Sequence, residues 1–128
     1  MIAKNNIFNI RQGAKWQGMT GTKKGFVEFE TQEYAIRAWL VLMRTYRRRY
    51  GCKTIRQIVT RFAPPNENNT EQYIAFCCRQ VGMSADDELT GLTQYAMLGK
   101  AMAKMETATS LHPNDILEVM NQFKIRVV

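Results

Sequence analysis

The sequence predicts a mainly α, α+β fold with a small β-hairpin near its N-terminus. Three observations point there. Apolar residues recur at helical spacing over most of the 128 residues. One short stretch, Phe26-Val27-Glu28-Phe29-Glu30, alternates instead and follows three closely spaced glycines, Gly18, Gly21 and Gly25. Hydrophobic residues make up 45% of the chain, enough for a core in one domain spanning residues 1–128.

Each element has its own signal. The glycines and the alternating run predict a hairpin within residues 14–30, with one strand face buried. Thr31 is placed to cap a long helix that Gly51 stops. Its inward residues are Ala35, Ile36, Trp39, Leu42, Met43, Tyr46 and Tyr50; Arg37, Arg44, Arg47, Arg48 and Arg49 supply the polar side. Thr54 caps a short helix bearing Ile55, Ile58, Val59 and Phe62, which Pro64 and Pro65 end. Asn69 or Thr70 caps a third, with Tyr73, Ile74, Cys77 and Val81 inward and Gly82 as its stop. Ser84, followed by Asp86, Asp87 and Glu88, predicts a further helix start, with acids in the first turn. A helix from about Leu92 to Glu106 is expected to bury Met97, Leu98, Ala101, Met102 and Met105. Pro113 suits the first turn of a last helix, reaching to about Phe123.

The formal net charge is +7 and is unevenly spread. Residues 1–64 carry 13 lysines and arginines against three acids, and residues 65–128 carry five against eight. A basic front half seeks a polyanion, whether nucleic acid, an anionic membrane or an acidic wall polymer. No apolar run is long enough to cross a bilayer, so membrane insertion is not expected. The first residues lack a signal-peptide pattern, so the protein is expected to be made in the cytoplasm. Cys52, Cys77 and Cys78 read as plain thiols, and one histidine gives no zinc-ligand spacing, so neither metal nor cofactor is expected. The phosphate-loop pattern GxxxxGK[ST] is absent.

Glu106 is the acid that stands apart. It ends a small-residue apolar helix, AMLGKAMAKME, where the helix dipole disfavours a carboxylate and apolar neighbours raise its pKa. A raised carboxyl is what general-acid chemistry near neutral pH requires; the plain alternative is a surface glutamate at a helix end. Tyr73, one turn into a capped helix after a Pro/Asn loop, is either a satisfied core aromatic or a hydroxyl aimed at that loop. Glu30 is a weaker second acid, or simply the wet face of an edge strand. The run RTYRRRY reads as an amphipathic helix, or alternatively as a basic, aromatic-interleaved nucleic-acid surface.

The order of motifs resembles a family of small phage and prophage virion proteins. Their pattern is N-P-G-N-I-R, a Trp-x-G, a Phe-x-x-Phe strand, an Ile-Arg-Ala helix and a W-A-P-x-x-E-N-x-T-x-x-Y loop. Asn6, Asn9, Ile10, Arg11, Trp16, Gly18, Phe26, Phe29, Ile36, Arg37, Ala38, Ala63, Pro64, Glu67, Asn68, Thr70 and Tyr73 match it, over about residues 5–82. Ile7 and Phe8 replace the Pro-Gly, and Phe62 the tryptophan. More distantly, NIFNIR is similar to the N-L-F-G-I-K step of lysozyme-like glucosaminidases, and the stretch from Phe62 to Tyr73 to their Y-A-T-x-x-x-Y segment and the T-x-x-Y-V of lytic transglycosylases. In those enzymes the catalytic glutamate, in an A-x-x-x-E-S/T-G helix, precedes the N-L-F-G-I-K step. Here the similar stretch is GKAMAKMETATS, far later in the chain. The resemblance therefore implies a circularly permuted lysozyme-like domain.

It also implies a function, cleavage of peptidoglycan glycan strands by a muramidase, glucosaminidase or lytic transglycosylase. Glu106 would be the acid, with Tyr73 and Glu30 supporting it; Asn6, Asn9, Arg11, Trp16, Asn68 and Thr70 would line the sugar groove. The implied partner is peptidoglycan, reached in the periplasm or cell wall. Delivery would be by a phage particle, or by a secretion machine with an immunity protein. The alternative is a non-catalytic virion or secretion component that binds the wall. A specific nucleic-acid partner ranks last, because it gives the asparagine/tryptophan segment no role.

Overall fold

The computed structural model describes residues 2–128. Strands β1 (Met19–Lys23) and β2 (Phe26–Phe29) are followed by helices α1 (Gln32–Tyr50), α2 (Ile55–Phe62), α3 (Thr70–Val81), α4 (Leu92–Thr107) and α5 (Pro113–Phe123). The mainly helical fold with one small hairpin is as the sequence predicts.

The strands pair antiparallel, Lys23 opposite Phe26 and Met19 opposite Phe29, with a register shift between Met19 and Gly21. Lys24 and Gly25 both take positive φ, the geometry a tight two-residue hairpin turn requires. Period-two alternation sends Val27 and Phe29 into the core. Phe26 faces the other way, with the Arg11 guanidinium 5.6 Å from its ring centre.

Helix α1 carries the centre of the core. Thr31 Oγ1 accepts from the Tyr34 amide to start it, and Gly51 at φ 64 ends it. Trp39 is completely buried and stacks on Phe8 at 5.2 Å, which ties residues 7–10 to the helix. The buried face of α4 is rich in small residues, Ala96, Gly99, Ala101 and Ala103. A Cβ at Gly99 would stand 3.0 Å from the Trp39 ring and 2.5 Å from Ile116 Cδ1, so this glycine sets how closely α4 meets α1 and α5. A capping box of Thr54 and Gln57 starts α2; Asn69 Oδ1, accepting from the Gln72 amide, starts α3.

Three local expectations are corrected. Residues 84–88 form a turn, not a helix. Asp87 Oδ2 accepts from the Ser84 amide, and Leu89, fully buried, donates its amide to Lys53 O at 2.8 Å. Burying Leu89 against the 53–54 segment outcompetes the local helix signal. Tyr50 is 48% exposed, and Arg61 lies over its ring. Met105 is exposed and Met97 half-buried, because the narrow buried stripe of α4 is taken up by the small residues and Met102.

Candidate active site

The site is built where the end of α4 meets residues 5–11. Asn5 and Asn9 hold left-handed backbone conformations, φ 59 and 52, which asparagine tolerates better than most residues. Between them Asn6 is fully buried. Its Nδ2 donates to the carbonyls of Ile10 and Val27, and its Oδ1 accepts from the Ile10 amide. The loop is thereby fixed against β2, and Asn9 is turned toward α4.

Asn9 Nδ2 donates to Glu106 O at 3.0 Å and to Glu106 Oε1 at 3.3 Å. Tyr73, buried on α3, donates its hydroxyl to Glu106 Oε2 at 2.9 Å. Thr107 Oγ1 lies 2.8 Å from Ile7 O, sewing the same helix end to the same loop. Burial pushes the Glu106 carboxyl above the usual range; the bonds from Tyr73 and Asn9 and the charge of Arg11 pull part of the way back. Burial pushes the Tyr73 hydroxyl far up, with the Glu106 charge adding to it, so it remains a donor.

Glu106 opens onto a cleft of about 550 Å³. One wall is Asn9, Ile10, Arg11, Trp16 and Phe26; the other includes Tyr46, Arg61, Phe62 and Asn68. Among the described residues Glu106 is the one carboxylate lining it. Arg11 reaches Glu67 at 3.3 Å, so an exposed ion pair joins the first loop to the Pro64–Asn68 loop. The Trp16 Nε1 is buried, leaving ring surface to face the cleft. Such a site combines a carboxyl held protonated at higher pH than usual with a flat aromatic surface and amide donors. It can give up a proton to a bound polar chain.

The residues singled out in the sequence divide accordingly. Glu106, Asn9, Arg11, Trp16 and Asn68 line one cleft, with Tyr73 behind Glu106. Asn6 is not in the groove: it is fully buried, and its side-chain hydrogen bonds go to Ile10 within the loop and to Val27 of β2. Thr70 is also buried, its hydroxyl 2.6 Å from Ala63 O, where it shapes the loop rather than lining the cleft. Glu30 is exposed past the end of β2 and lines no part of the cleft. Arg61 and Tyr46 escaped the sequence reading as site residues; helical spacing marked Tyr46 only as an inward position of α1 and gave Arg61 no role.

The other titratable groups offer little. Burial pushes the Cys77 thiol up to about 12, as befits an inert core residue. Among the described residues no cluster of histidine, cysteine or acidic side chains could hold a metal ion. Among the described residues no helix is long and apolar enough to cross a membrane.

No protein-family model matches the chain. It is 34% identical over 120 residues to Protein P5 of Pseudoalteromonas phage PM2, a match covering 89% of this chain and 74% of that protein. The chain belongs to the Protein P5 family. The kinship with a phage protein agrees with the phage side of the resemblance seen in the sequence.

Proposed function

We propose that this Protein P5 relative is a virion component that cleaves the glycan strands of peptidoglycan. The observation that carries the reading is the convergence of Glu106, Tyr73 and Asn9 on one carboxyl group at a Trp16-lined cleft. Glu106 gives its proton to the glycosidic oxygen as the C–O bond breaks, and charge of oxocarbenium type develops on the sugar. Tyr73 occupies Oε2 with a short bond, and Asn9 touches Oε1 only at 3.3 Å, so Oε1 has capacity left for the proton in play. Trp16 offers a ring face to a pyranose, and Asn68 an amide to its hydroxyls.

The reading extends to the fold. We infer a lysozyme-like body in permuted order, in which the end of the acid-bearing helix continues in space, through Thr107–Ile7 and Asn9–Glu106, into the loop that follows the acid in those enzymes. Kinship with a phage protein favours delivery by a particle over a secretion machine with an immunity partner. The same kinship supports the second reading, a virion component that binds the wall without cutting it.

Clearing of purified sacculi separates the two. Wild type should clear them, and Glu106→Gln should be slower by about a hundredfold or more, the usual weight of a general acid. Equal clearing by both would remove Glu106 from the chemistry. Wild-type protein that sediments with sacculi and releases no fragments would establish the second reading.

A further inference from the structure

We propose that Arg61 and the tyrosine shelf beneath it form a carboxylate-binding subsite that selects the acidic, muramic-acid-bearing part of the strand. The inference rests on the glycan-cleaving reading above and names the group that the second cleft wall would hold.

Arg61 lines the same cleft as Glu106. Its guanidinium lies 3.5 Å from the ring centre of Tyr50 and 5.4 Å from that of Tyr46, two residues one turn apart on α1. The Tyr46 hydroxyl is pushed up to about 12, mainly by burial, so Tyr46 stays neutral. Arg49 also stands over Tyr50, at 6.0 Å, bringing a second cation to the same ring. The ion pairs among the described residues employ Arg11, Arg47 and Arg56; none employs Arg61 or Arg49.

Two guanidinium groups drawn to one ring, with no acid between them, repel each other until an anion arrives. Stacking fixes the plane of the Arg61 fork while leaving its N–H edges able to bind, the arrangement suited to a two-pronged carboxylate. The sugar backbone of peptidoglycan is uncharged; its lactyl carboxyl is tied up in the amide bond to the peptide stem, so free carboxylates sit on the stem, and on the lactyl group only where the stem has been removed. A strand with a sugar face on Trp16 would present those substituents across the cleft to the α2 wall.

The test measures binding, so it reads out even if Glu106 is not the acid. Wild type and Arg61→Gln, each also carrying Glu106→Gln, are sedimented with native sacculi and with sacculi whose carboxyls have been amidated. Wild type should prefer native sacculi by about tenfold, the worth of one charge-assisted pair at a partly open site. Arg61→Gln should erase that preference while binding amidated sacculi as before. Peptide-stripped strands expose the lactyl carboxylate in place of the stem: a preference over their amidated form shows that Arg61 accepts that group as well, and its loss there assigns the stem. Three results overturn the proposal: no preference in wild type, a preference retained in Arg61→Gln, or an equal loss on both materials. A DNA mobility shift lost in Arg61→Gln while the sacculus preference stays intact would also overturn it, giving the shelf to nucleic acid. Failure of the glycan-cleaving reading would show separately, as protein that keeps both Glu106 and Arg61 and releases no fragments from sacculi.

Discussion

Asn9 sits at φ 52 with its amide 3.0 Å from the carbonyl of Glu106, while Asn6, three residues earlier, has no access to the cleft at all. The sequence marks both asparagines equally. Only the hydrogen-bond pattern separates a positioning residue inside the loop from a residue at the site. Glu106 and Tyr73 were more legible. A carboxylate at the end of an apolar helix has few ways to be satisfied, and a tyrosine on a neighbouring helix is one of them. The Tyr73 bond lowers the Glu106 pKa, so its removal raises it. A general acid works only while protonated, so Tyr73→Phe should shift the alkaline limb of the pH–activity profile to higher pH. A limb that stays put or moves down would show that this bond does not govern the acid.

At the level of elements, the close approach of α4 to α1 depends on Gly99. Replacing it with alanine improves helix propensity by about 1 kcal/mol. Against this stands a methyl group forced to 3.0 Å from a Trp39 ring that its stack on Phe8 holds in place. Overpacking of this kind costs about 1–3 kcal/mol and should win, leaving Gly99→Ala destabilised by about 1 kcal/mol in urea unfolding. An unchanged or raised midpoint would mean that Ile116 and Trp39 yield more easily than their burial implies. The caps at Thr31, Thr54 and Asn69 were readable because each bond is local. The expected helix at Ser84 was not formed, because its outcome depends on Leu89 meeting residue 53, a contact no local pattern contains.

For the molecule as a whole, the half-buried acid is a cost carried at neutral pH. The folded-state pKa of Glu106 lies above its unfolded value, so its contribution to stability is fully present below the unfolded pKa and is lost as pH rises through the folded one. Glu106→Gln, which cannot ionise, should therefore melt at a higher temperature than wild type near pH ~7, and the gap should close as pH falls toward ~4. A gap that widens on acidification would mean that the carboxylate is stabilised by its partners overall. Activity and stability would thus oppose each other at this one residue.

The sequence by itself determined the five helices, the caps and stops of the first three, the hairpin, the basic front half and the candidacy of Glu106 and Tyr73. These follow from periodicity, from bonds within a few residues, and from composition. The tertiary structure alone decided which candidates meet. It brought Asn9 and Trp16 to a carboxyl far along the chain, withdrew Asn6 and Thr70 into the loops, left Glu30 outside, and laid Arg61 on Tyr50 at the same cleft. Those outcomes depend on how whole elements bury their faces against one another, and that is not written in any short stretch of sequence.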